Sequence, residues 1–69
     1  MATIKVIELV GSSATGWQEA AESALTEASR TLKGIKGIDV LGWTGKIEGG
    51  KIVEYHSNVK IAFEVSGEL

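Results

Sequence analysis

The stretch from Lys51 to Val65, KIVEYHSNVKIAFEV, decides the reading of the chain. From Val53 onward its apolar side chains fall on alternate residues, namely Val53, Tyr55, Val59, Ile61, Phe63 and Val65. Between them stand Glu54, His56, Asn58, Lys60, Ala62 and Glu64. Successive side chains of an extended backbone point to opposite sides, so this period of two predicts a strand with one apolar and one polar face. Its length and nearly unbroken apolar face suit the middle of a sheet, where both edges find partners and the apolar side finds something to pack on.

Working outward, Glu48-Gly49-Gly50-Lys51 is a hairpin signal that joins this strand to an earlier one. That earlier strand is expected over Ile35–Ile47, interrupted by Gly37, Gly42 and Gly45. Upstream, Trp17, Ala20, Ala21, Ala24, Leu25, Ala28 and Leu32 recur at helical spacing and predict an amphipathic helix. Ser13 or Thr15 is its expected N-cap, with Gln18 in the capping-box place after Thr15. Glu19 and Glu22 suit its positive end, Arg30 and Lys33 its negative end, and Gly34 its C′ position in left-handed geometry. A stripe dominated by alanine lets the helix axis lie close to a sheet. The first strand is expected over Thr3–Val10, with apolar groups on both faces, ended by the run Gly11–Gly16. The expected fold is therefore α+β, a β-α-β-β chain in one domain spanning 1–69. Its three-stranded antiparallel sheet has the last strand in the centre and cradles one helix. One helix covers one face, which leaves the face of His56, Asn58, Lys60 and Glu64 open and two edge strands exposed.

Size and composition narrow the function. A chain of 69 residues buries only about 60% of its unfolded surface, so a domain this small usually has added support. The absence of cysteine and the single histidine rule out a disulfide framework and any Cys/His zinc site. Self-association remains. With 43% hydrophobic residues, 23% charged residues and a net charge of −2, the chain carries no basic excess suited to nucleic acid. Met1 to Val10 alternates charged with apolar residues, and no apolar run nears the roughly 20 residues that span a bilayer, so neither a signal peptide nor a membrane segment is expected. A cytoplasmic location is the plain reading.

The motifs offer little chemistry. Gly11–Gly16 lies between a strand and a helix as a phosphate loop does, but Trp17 and Gln18 stand where Lys and Ser or Thr are required. His56 is the only imidazole, and nothing in the spacing of Ser12, Ser13, Ser57 or Asp39 joins one of them to it as nucleophile or orienting group. The carboxylates Asp39, Glu48, Glu54 and Glu64 form no EF-hand loop, so a divalent cation fits only where subunits share it. Trp43, a large aromatic in a glycine-broken strand, is expected to fill an interface or offer a stacking surface.

The assembled pattern resembles the dodecins. KVIELVGSS is followed by TGWQEAAESALTEASRTLKGI, a glycine-rich strand, a short GGK hairpin and EYHSNVKIAFEV, so the resemblance covers nearly the whole chain. It implies a strand-helix-strand-strand protomer in a hollow homododecamer that binds flavin, FMN or riboflavin, for storage or sequestration, with no enzymatic turnover. In such proteins flavins stack between tryptophans of symmetry-related subunits, and a glutamine after the last strand's tyrosine bonds the isoalloxazine edge. Counted back from Tyr55, the tryptophan position falls at Gly37 and the glutamine position at His56. Trp43 lies an even number of residues from Gly37, which in an unbulged strand puts both on one face about 20 Å apart. The expected ligand-binding residues are thus Gly37, Asp39, Trp43 and His56. Three readings follow: flavin storage in a modified interface pocket, with His56 and Asp39 as polar contacts; the same assembly holding a divalent cation or an anionic cofactor in place of flavin; and, ranked last, an enzyme.

Overall fold

A computed structural model describes residues 3–65; the outermost positions of the expected 1–69 domain lie outside the described residues. The chain runs β1 (Thr3–Ser13), α1 (Trp17–Ser29), β2 (Ile35–Glu48) and β3 (Lys51–Val65). The strands form one antiparallel sheet in the order β1-β3-β2, with the strand of alternating pattern in the centre as expected. β1 pairs with β3 from Thr3↔Val65 to Ser13↔Tyr55, and β2 pairs with it from Ile35↔Phe63 to Glu48↔Lys51. Gly49 and Gly50 close the hairpin with φ of +60° and +76°, the positive pair that a turn matching the twist of both strands requires.

The helix lies on the face of β3 that carries Ser57, Val59 and Ile61, all fully buried. Ala20, Ala24 and Ala28, spaced by four, form its buried stripe. The approach is so close that a Cβ on Gly11 of β1 would overlap the backbone carbonyl oxygen of Ala20 and lie 3.0 Å from the Ala24 methyl. Ile7, Leu9, Ala21, Leu25, Leu32 and Ile35 complete the core around its edges.

Three expectations are corrected. β1 does not end at Val10 but pairs through Ser13, because Gly11 has no side chain to strike the helix and β3 still offers ladder partners there. Neither Ser13 nor Thr15 caps α1. Gly16 occupies the N-cap position in extended backbone, its carbonyl accepting the Ala20 N–H at 3.0 Å, while the Ser13 hydroxyl accepts the Thr15 N–H and lies 2.9 Å from its hydroxyl. The two hydroxyls satisfy each other within the turn and are spent there. The helix also stops at Ser29, its end tightened by bonds from Arg30 N–H to Glu27 and from Thr31 N–H to Ala28, so Lys33 stands beyond the last turn. Gly34 is left-handed at φ +73° as expected, but with Arg30 as the C-cap it is not the C′ residue; its carbonyl accepts the Glu64 N–H at 3.0 Å, which sets the entry of β2.

The molecule is a slab of 54 × 20 × 13 Å, thick enough for one sheet and one helix only. The helix sits over β1 and β3 and scarcely reaches β2. Large apolar side chains are consequently exposed on both sides, among them Ile4, Val6 and Val10 on the helix-free face and Ile38, Val40 and Trp43 on the helix side of β2.

Gly11→Ala forces the helix off the sheet. Overpacking of this kind costs about 2–3 kcal/mol, and urea denaturation at fixed protein concentration is expected to show a loss of that size; an unchanged midpoint would mean that the helix sits farther out.

Candidate functional site

Register defines what the helix-free face presents. On β3 this face carries Glu54, His56, Asn58, Lys60, Ala62 and Glu64, since the odd-numbered residues from Ser57 to Ile61 are buried under the helix. Each has partners on both neighbouring strands. Ala62 lies between Val6 of β1 and Gly37 of β2, Lys60 between Glu8 and Asp39, Asn58 between Val10 and Gly42, and His56 between Ser12 and Thr44. A low apolar row thus adjoins a charged one.

A groove of about 330 Å³ opens where these two rows meet, lined by Val6, Gly37, Ile38, Asp39, Lys60 and Ala62. It exists because the side chains above its floor are small. A Cβ added at Gly37 would meet nothing within 4 Å. A volume of this size is at the lower end of those that hold drug-sized molecules.

Of the four residues expected to bind a ligand, Gly37 and Asp39 come together in this groove. His56 shares the face but lies four residues further along β3, about 13 Å from Lys60 at about 3.3 Å per residue, with its Nε2 3.5 Å from the Glu54 carboxylate. Trp43 does not share the face, which corrects the even-separation expectation. The β2 register shifts by one between Val40 and Gly42. The extra residue, Leu41, inverts the alternation, so Trp43 comes opposite the buried Ser57 and emerges on the helix side. Its indole stacks on Trp17, with ring centroids 5.7 Å apart and planes 15° from parallel. Tyr55 meets Trp17 edge-on at 4.8 Å.

Trp17 is the residue whose role sequence reading understated. Beyond its place in the apolar stripe, it ties the start of α1 to both longer strands. Its indole Nε1–H donates to the Thr44 carbonyl at 2.9 Å, and its own backbone carbonyl accepts from the Ser57 hydroxyl at 2.7 Å. Val6 and Lys60 were also not singled out, because their convergence with Gly37 depends on cross-strand register and carries no motif. Among the described residues, no three histidine or carboxylate side chains converge to hold a metal ion, and no helix is long and apolar enough to cross a membrane.

Comparison with known proteins gives a consistent picture. The sequence profile of the Dodecin family matches residues 3–66. Among solved structures, the chain is similar to dodecin from Streptomyces coelicolor, at 31% identity over 97% of this chain and 96% of that one, with a TM-score of 0.92. It is similar to the tt0972 protein from Thermus thermophilus at 28% identity, covering 99% and 100% of the two chains, with a TM-score of 0.94. Dodecin from Streptomyces davaonensis follows at 26% identity over 94% and 96%, with a TM-score of 0.89. No match is found among curated proteins.

Trp43→Ala removes the stacked partner of Trp17 but leaves the helix-free face intact. A stacked aromatic pair contributes about 0.5–1.5 kcal/mol beyond area burial, so denaturation followed by the remaining Trp17 emission is expected to show at least that loss.

Proposed function

Because the chain belongs to the dodecin family, we propose that it is a homo-oligomeric flavin-binding protein that stores or sequesters FMN or riboflavin without turning it over. The groove bounded by Val6, Ala62, Gly37, Lys60 and Asp39 is the seat for the ring system. One observation carries this reading: the opening in the helix-free face falls at Gly37, the position at which the resemblance puts the family's stacking tryptophan. Here the missing indole leaves space, and the ligand is held by a low apolar floor with polar groups at its end. Gly37 and Asp39 belong to the site directly. His56 and Trp43 enter it only where a second copy of the chain carries them there.

Assembly as a homododecamer is part of the same proposal, and a cytoplasmic location goes with it. The support is energetic. Among the described residues the fully or nearly buried apolar ones, Ala20, Ala24, Ala28, Val59 and Ile61, are few and mostly small, while Val10 is 64% and Ile4 and Val6 are each 51% exposed on one face of β1, with Glu8 between Val6 and Val10. Apolar surface at about 25 cal/mol per Å² favours covering such a face with another copy.

Two outcomes are expected. Riboflavin and FMN titrated into ligand-stripped protein lose their fluorescence saturably at about one flavin per chain, and light scattering gives the mass of a dodecamer. Absent quenching would hand the groove to another ligand, and a monomer would remove the proposed assembly.

Gly37→Trp restores a stacking surface at a position where a Cβ meets nothing within 4 Å. With base–aromatic stacking at about 1–3 kcal/mol, flavin affinity is expected to rise roughly 5- to 150-fold. His56→Ala, in contrast, is expected to leave the affinity unchanged in the same titration; a weakened affinity would mean that His56 of a neighbouring copy reaches the ring edge.

A further inference from the structure

The groove consists of two adjacent cross-strand rows that differ in kind. Val6, Ala62 and Gly37 make one, Glu8, Lys60 and Asp39 the next, and residues two apart on one face of a strand are about 7 Å apart. A planar ring lying on the first row therefore brings its edge to the second. Lys60 and Asp39 stand opposite each other in register, and both line the groove. One is a donor without acceptor capacity and the other, when ionised, an acceptor without a proton to give. Among the described residues the ion pairs join Arg30 to Glu27, Lys36 to Glu64, Lys46 to Glu48 and His56 to Glu54, so neither Lys60 nor Asp39 is committed to one.

We infer that Lys60 and Asp39 together recognise the cyclic imide edge of the bound ring, in which an N–H is flanked by carbonyls. The Lys60 ammonium donates to a ring carbonyl and the Asp39 carboxylate accepts from the ring N–H. The inference rests on the flavin reading of the groove and names the atoms by which the flavin is held. It also assigns the polar contacts to the charged row and not to His56, which lies about 13 Å along the strand. Phosphate plays no part in this contact. Lys60 is flanked by Glu8 and Asp39, which leave the row net negative, and Lys36 beside Gly37 is held 3.6 Å from the Glu64 carboxylate.

The test is a set of fluorescence titrations on the assembled full-length protein. Riboflavin and FMN are each titrated against the unaltered chain, Lys60→Met and Asp39→Asn. Riboflavin methylated at the imide nitrogen is titrated against the unaltered chain alone, so one arm does not depend on how the variants fold. Hydrogen bonds to charged groups are worth enough that each change is expected to weaken binding by at least about tenfold, and equally for riboflavin and FMN. The inference is overturned if the methylated flavin and both variants bind as the originals do, while unaltered protein still quenches riboflavin. It is also overturned if Lys60→Met weakens FMN alone, since the lysine would then be reading phosphate. If unaltered protein quenches neither flavin, the functional reading fails and this inference falls with it.

Discussion

The structure depends on how closely α1 approaches the sheet. The Ala20 carbonyl lies where a side chain at position 11 would have to be, and Ala20, Ala24 and Ala28 present nothing larger than a methyl group to β1 and β3. Close packing of small groups gives many contacts of modest individual strength. It yields little apolar burial per residue, however, and so limits what one chain can gain by folding alone. Trp17 compensates at the start of the helix by acting as a clip, with one hydrogen bond to each of the two longer strands and aromatic contacts to Trp43 and Tyr55.

A thin slab follows from that approach, and the site follows from the slab. A single helix pressed onto β1 and β3 leaves the opposite face of the sheet uncovered along its length and leaves β2 largely uncovered on both sides. The helix-free face is not uniform. Its rows alternate in character because each strand contributes one residue per row, and the Val6, Ala62, Gly37 row happens to combine the smallest side chains beside the row richest in charge. A recess with polar groups at one end results without any loop, lid or unusual backbone conformation.

Most of the fold was legible in the residues. The period of two in Val53–Val65 identified the central strand, the 3.6-residue recurrence from Trp17 identified the helix, and Gly49-Gly50 marked the hairpin. The errors were local. Ser13 and Thr15 have good capping side chains, but they bond each other in the turn. Gly11 reads as a strand breaker, yet it is the residue that lets β1 continue beneath the helix. In the first case one local hydrogen bond displaced another; in the second the helix packed above the strand decided.

The element order, the central place of β3 and the shortage of core follow from hydrophobic period and chain length, which are properties of the residues in line. Gly37 and Asp39 could be placed together from the line, but not Val6 and Lys60 with them, nor Trp43 apart from them. Leu41 adds one residue to β2 against β3, and one residue of slip inverts every side chain beyond it. That shift parts Trp43 from Gly37, although their even separation suggested a common face, and pairing across the sheet brings Lys60, Asp39 and Val6 around Gly37 from three strands. These neighbours are fixed in the folded sheet alone, because register is a relation between strands and depends on where the bulges fall.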